Sequence, residues 1–194
     1  MAKFHGLNKI NTSVFISGKG SNLKNLIKFS LHQNSPIKIN LVISDNSKAK
    51  GLIFCKKYKI KKKIYNFKNF LKAENMIIKD LKKNKIKLIC LAGFMKILSK
   101  KFIQAFSGKI LNIHPSLLPK YKGLNTHERA IKNKEKFSGC TVHYVNFKLD
   151  AGKIILQKKV RIKKNDNSKS LAKNILKQEH ILYPKAILKI LSSL

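Results

Sequence analysis

Residues 12–22 read TSVFISGKGSN. Thr12, Val14, Phe15 and Ile16 are β-formers in an uncharged run, as in a strand buried on both faces. Gly18 and Gly20 then allow a sharp turn, and Ser21 and Asn22 lead into a helical pattern near residues 22–32. A strand, a glycine turn and a helix form the opening of a βαβ unit. Downstream, residues 37–43 (IKINLVI) form a second apolar strand, closed by Ser44-Asp45-Asn46. A helix is expected near 48–58, and a short strand around Lys63-Ile64-Tyr65. Residues 69–84 form a lysine-rich amphipathic helix with Phe70, Leu71, Met76, Ile77 and Leu81 among its apolar positions. Residues 86–91 (IKLICL) make a buried strand that ends at Ala92-Gly93. This alternation predicts an α/β fold with a doubly wound, mostly parallel sheet.

The second half has a different pattern. Strand character runs to Ile113 and breaks at Pro115 and Pro119. A helix follows near 126–133. Residues 139–146 and 153–162 both alternate as strands, and the LDAGK loop joining them points to antiparallel pairing at the sheet edge. Ser168 is the expected cap of a last helix over 168–191. No repeat or linker divides the chain, so residues 1–194 are expected to form a single domain.

The charge is the unusual feature. There are 43 Lys+Arg residues against 8 Asp+Glu, a net charge of +35. Such a balance ordinarily points to a polyanion. However, 41 of the 43 are lysines, with Arg129 and Arg161 the exceptions. Nucleic-acid readers favour arginine for its bidentate fork. Lys, Asn, Ile and Phe share codons rich in A and T, so compositional drift accounts for the lysines without a ligand. The sequence has no run of 18 apolar residues, so no membrane span is expected. The N-terminus, MAKFHGLNKINTS, lacks the apolar core of a signal peptide. Cys55, Cys90 and Cys140 form neither a disulfide framework nor a metal pair. They are expected to pack as small apolar residues in a cytoplasmic protein. His5 and His32 are expected on the surface, with His127 and His143 near a cleft, and no metal site is expected.

Three segments carry chemistry. The turn Ser17–Asn22 brings backbone N–H groups and a helix N-terminus to one place, which favours a phosphate, although it is neither a dinucleotide fingerprint nor a P-loop. In Asn112-Ile113-His114, the two polar side chains lie two residues apart at a strand end and share one face. An amide beside an imidazole suits acyl-type chemistry: the amide holds an oxyanion and the imidazole moves a proton. Asp150 lies in the LDAG loop, and a carboxylate near His114 would raise its pKa and fix its orientation. Spacing alone does not bring Asp150 to His114.

Together, VFISGKGSNLKNLI, LAGFMKILS, ILNIHPSLLPKYKGLNTHERAI, TVHYVNFKLDAGKIILQKKV and QEHILYP resemble the phosphoribosylglycinamide formyltransferases, folate-dependent enzymes of purine biosynthesis. The segments occur in the family's order and span nearly the whole chain. The resemblance implies a Rossmann-like formyltransferase fold and formyl transfer from 10-formyltetrahydrofolate to the amine of glycinamide ribonucleotide. It also implies that Gly20, Ser21, Asn22, Leu23 and Lys24 hold the substrate phosphate, and that Glu179 lies near the glycinamide group. Met95, Lys96, Ile97 and Leu98 would line the folate pocket, with Asn112 touching the same co-substrate. Asn112, His114 and Asp150 would be the catalytic trio, with a protonated His114 beside the oxyanion. The implied partners are small molecules, with no membrane or nucleic acid, for a monomer or homodimer. Lys96 stands where the family often has arginine, and Asn125 where a histidine is frequent. Methionyl-tRNA formyltransferase and formyltetrahydrofolate hydrolase share the core elements but carry further domains, for which 194 residues leave no room. A basic nucleic-acid-binding module on the same fold is the non-enzymatic alternative, and the joint presence of Asn112, His114 and Asp150 argues against it.

Overall fold

The computed structural model describes residues 9–192, so the expectation for His5 lies outside the described residues. Among the described residues, seven strands pair through backbone hydrogen bonds. The described residues divide into two compact units, with the boundary between Leu111 and Asn112.

The first unit holds β1 (Ile10–Ile16), α1 (Ser21–Leu31), β2 (Ile37–Ser44), α2 (Leu52–Lys57), β3 (Lys61–Ile64), α3 (Phe70–Lys83), β4 (Leu88–Leu91) and α4 (Lys100–Ala105). β1 lies between β2 and β4, and β2 also pairs with β3, all in parallel. Strand order therefore reverses around β1, which makes the carboxyl ends of β1 and β4 a topological switch point. Val14, Phe15, Ile16, Leu41, Val42, Ile43 and Ile89 are fully buried, consistent with strands covered on both faces. Leu23, Leu26 and Ile27 of α1 and Ile77 and Leu81 of α3 supply the covering apolar stripes. The edge strand β3 exposes Lys61, Lys62 and Lys63, charges that discourage edge-to-edge pairing.

β5 (Lys109–His114) begins in the first unit and delivers Asn112 and His114 to the second. The second unit continues with α5 (Thr126–Lys132), β6 (Phe137–Tyr144), β7 (Ile154–Arg161) and α6 (Ser168–Leu191). β6 and β7 pair antiparallel, with Phe137 opposite Arg161 and Thr141 opposite Gln157, as the alternating pattern requires. α6 packs on β6, β7 and α5.

Two local expectations need correction. Ser168 does not cap α6. The cap is Asn167, which accepts the N–H groups of Lys169 and Ser170, while Ser170 answers through its own side chain. α4 is an element the apolar pattern did not reveal, because six residues give too few turns for a periodicity. Cys55, Cys90 and Cys140 are buried thiols, and His32 is exposed. No helix among the described residues is long and apolar enough to cross a membrane.

Candidate active site

In the first unit, β1 stops at Ile16 and the chain turns through Ser17–Gly20 into α1. Gly20 adopts the left-handed conformation at φ 72°. A Cβ there would stand 2.5 Å from the Cα of Gly51, so two backbones meet where no side chain fits. Gly51 also donates its N–H to the carbonyl of Gly18 at 2.9 Å, and the Asn46 amide donates to the carbonyl of Ser17 at 3.2 Å. The first α1 bond runs from the Lys24 N–H to the Gly20 carbonyl, and no side chain caps the helix. Ser21 and Leu23 thus present backbone N–H groups at the positive end of α1, an arrangement suited to an anion. Leu23 is fully buried, as part of the apolar stripe of α1. Asn22 is buried, Ser21 half-buried, and the exposed Lys24 lies with its ammonium 5.6 Å from the Phe54 ring centre.

Met95–Leu98 follows β4. The Met95 N–H donates to Ser17 Oγ at 2.8 Å, tying this segment to the glycine turn. Met95 and Ile97 are more than 60% exposed at 61% and 62%, and Lys96 is exposed too. Leu98 is buried and faces the core. Phe94 packs edge-on against Phe15 and Phe67. Ser99 closes the segment: its N–H and hydroxyl both donate to the buried carboxylate of Glu74, and its oxygen accepts the Phe102 N–H at the start of α4. Gly51 and Glu74 are not singled out by the sequence, because nothing in their own segments ties them to the glycine turn or to Ser99.

In the second unit the structure brings Asn112, His114 and Asp150 together. His114 Nδ1 lies 3.4 Å from Asp150 Oδ2. The other ring nitrogen, Nε2, lies 2.8 Å from the carbonyl of Tyr121. A carbonyl only accepts, so Nε2 carries a proton. Asp150, itself at φ 46°, accepts the Gly123 N–H at 2.9 Å and the Asn112 amide at 3.4 Å. His143, unassigned in the sequence beyond the cleft, completes the group. Its Nδ1 donates to the carbonyl of Tyr144 at 2.8 Å, which leaves Nε2 to accept the Asn112 amide at 3.2 Å. His143 thereby dictates which end of the Asn112 amide faces it.

Burial lowers the pKa of His114, and the Tyr121 carbonyl and Asp150 offset this only in part. The upward push expected from Asp150 is present, but desolvation outweighs it and the net shift is downward. Burial also opposes the charge on Asp150, but the Gly123 N–H that it accepts and the adjacent His114 help hold its carboxyl below the usual range. His127, half-buried in the first turn of α5, has its pKa lowered by burial and then by His114. Glu179 is buried on α6. Burial pushes the Cys140 thiol up to about 12, and the charge of Glu179 adds to the effect.

Residues 10–187 match the model of the formyl transferase family. The chain is 44% identical over 178 residues to phosphoribosylglycinamide formyltransferase of Haemophilus influenzae, covering 90% of this chain and 84% of that one. It is 41% identical over 182 residues to the human trifunctional purine biosynthetic protein adenosine-3, where it covers 92% of this chain but 18% of the relative. The crystal structure of phosphoribosylglycinamide formyltransferase from Brucella melitensis superposes with a TM-score of 0.89 at 40% identity, covering 95% of this chain and 96% of that one. On a family match that spans residues 10–187 and a relative 44% identical over most of both chains, the chain belongs to the formyl transferase family.

Proposed function

We propose that this chain transfers the formyl group of 10-formyltetrahydrofolate to the amine of glycinamide ribonucleotide. The observation that carries the reading is the convergence of Asn112, His114 and Asp150 on one point of the second unit. The family match runs without a break from residue 10 to 187, which supports reading residues 1–194 as one formyltransferase domain. The three buried thiols suit a reducing cytoplasm.

In this reading the amine attacks the formyl carbon, the carbonyl oxygen becomes an oxyanion, and the folate nitrogen leaves with a proton. Asn112 meets the oxyanion. Its 3.4 Å contact to Asp150 is the longer of its two amide bonds, and the oxyanion replaces it while His143 keeps the amide oriented. His114 manages the proton. Both ring nitrogens face acceptors, Tyr121 and Asp150, so the neutral ring satisfies only one of them. A proton taken from the attacking amine satisfies both, and burial then favours its return to the leaving nitrogen. Gly20, Ser21, Asn22, Leu23 and Lys24 hold the ribonucleotide phosphate through α1, with Leu23 contributing backbone alone. Glu179 faces the glycinamide amine. The exposed Met95 and Ile97, with Lys96, meet the folate, and Leu98 supports them from the core.

The test offers both substrates to the purified chain and follows formylated product. Product that requires both substrates is the expected result. Salt-dependent RNA binding with no formyl transfer would instead favour the basic module.

A further inference from the structure

Tyr121, Gly123 and Asn125 all have positive φ, at 56°, 75° and 56°. Left-handed backbone is unfavourable for a tyrosine, so this loop needs external ties to hold its shape. It also makes two contacts to the trio: the Tyr121 carbonyl accepts from His114, and the Gly123 N–H donates to Asp150.

The ties come from α5 and the residues after it. Arg129 donates to the carbonyl of Lys122 at 2.7 Å and to that of Leu124 at 3.4 Å, bracketing Gly123. Its guanidinium carbon also lies 5.0 Å from the centre of the Tyr121 ring. The Tyr121 hydroxyl donates to Glu135 at 2.9 Å and accepts from Asn133 at 3.0 Å, and Lys120 reaches the same Glu135 oxygen at 2.8 Å. The loop is thus held by its carbonyls, by a ring face and by a hydroxyl. Both carbonyl bonds leave from one guanidinium nitrogen, Nη1, while the guanidinium lies against the Tyr121 ring, a planar stack that an ammonium on a flexible stem does not reproduce. In a chain with 41 lysines among 43 basic residues, an arginine stands at this position.

We infer that Arg129 is a positioning residue for the reaction, clamping the Tyr121–Asn125 loop so that it presents one acceptor to His114 and one donor to Asp150. The inference rests on the proposed roles of that trio. Arg129→Lys keeps the charge and removes the planar guanidinium stacked on Tyr121, so a change reports geometry rather than electrostatics. Loss of the Tyr121 carbonyl from His114 removes a contact that favours the protonated ring, so the His114 titration moves to lower pH.

The experiment measures kcat, KM for both substrates and the pH dependence of kcat in wild type, Arg129→Lys, Glu135→Gln and Arg161→Lys. The expected result for Arg129→Lys is a kcat about tenfold lower, KM values within about twofold, and a pH limb displaced to lower pH. Glu135→Gln should move the same limb in the same direction by less, and it decides the matter if Arg129→Lys does not fold. Arg161→Lys should match wild type. Wild-type kcat and an unmoved limb in the folded clamp variants would overturn the inference. A wild-type protein that forms no product, or keeps its rate without His114, would instead show that the trio is misassigned, and the inference would fall with that reading.

Discussion

The Nε2 atom of His143 lies 3.2 Å from the Asn112 amide nitrogen, and the carbonyl of Tyr144 holds the other ring nitrogen at 2.8 Å. The tautomer of one histidine therefore sets the orientation of the amide that faces the oxyanion. His143→Ala removes this guide. The expected outcome is a fall in kcat on the order of 10–100-fold with little change in KM, since amide misorientation affects the transition state most. His143→Gln returns an acceptor and should recover part of the rate. Steady-state kinetics of the two variants check this, and a wild-type kcat in His143→Ala would refute the role.

Gly18 and Gly20 flank the same lysine but differ in tolerance. A Cβ on Gly18 meets nothing within 4 Å, whereas one on Gly20 strikes Gly51 and sits at positive φ. Gly18→Ala should leave stability near wild type. Gly20→Ala should cost about 2 kcal/mol or more, from left-handed strain plus the backbone clash. It should also raise KM for the ribonucleotide more than it lowers kcat. Urea denaturation and substrate titration test the pair together, and equal effects at the two glycines would be the contrary result.

Burial lowers the pKa of His114, His127 and His180 below the ordinary 6.5. As pH falls below that value, the unfolded chain takes up protons that the native chain resists. Stability present above 6.5 is therefore lost on acidification, down to the native pKa values. Asp150 acts in a separate window: its native pKa lies below the ordinary 3.8, so its contribution disappears only at more acidic pH. The urea midpoint should be lower at about pH 5.5 than at about pH 7.5, and the difference should shrink when His127 and His180 are both changed to Gln. A midpoint indifferent to pH over this range would contradict the assignment.

Much of this was legible in the sequence because it depended on local chemistry. The uncharged strand 12–16, the Gly20 turn and the alternation across residues 139–146 and 153–162 fix periods and breaks that short-range sterics decide. Placing Asn112 and His114 on one face needed only strand geometry. The parts that were not legible depend on distant encounters. Asp150 reaches His114 only through the β6–β7 hairpin, and Gly51 meets Gly20 only once α2 has packed. The net shift of His114 was not legible because a neighbouring carboxylate shows in a motif, whereas the desolvation that outweighs it depends on packing. Asn167 rather than Ser168 caps α6 because two adjacent residues had equal cap chemistry and only backbone geometry chose between them.

The most direct test of the account is the rate of formyl transfer from 10-formyltetrahydrofolate to glycinamide ribonucleotide in Asn112→Ala and His114→Ala. Each should lose most turnover, roughly 3–4 kcal/mol of barrier for a lost oxyanion donor, while keeping a cooperative urea transition. Near-normal rates in both folded variants would contradict it.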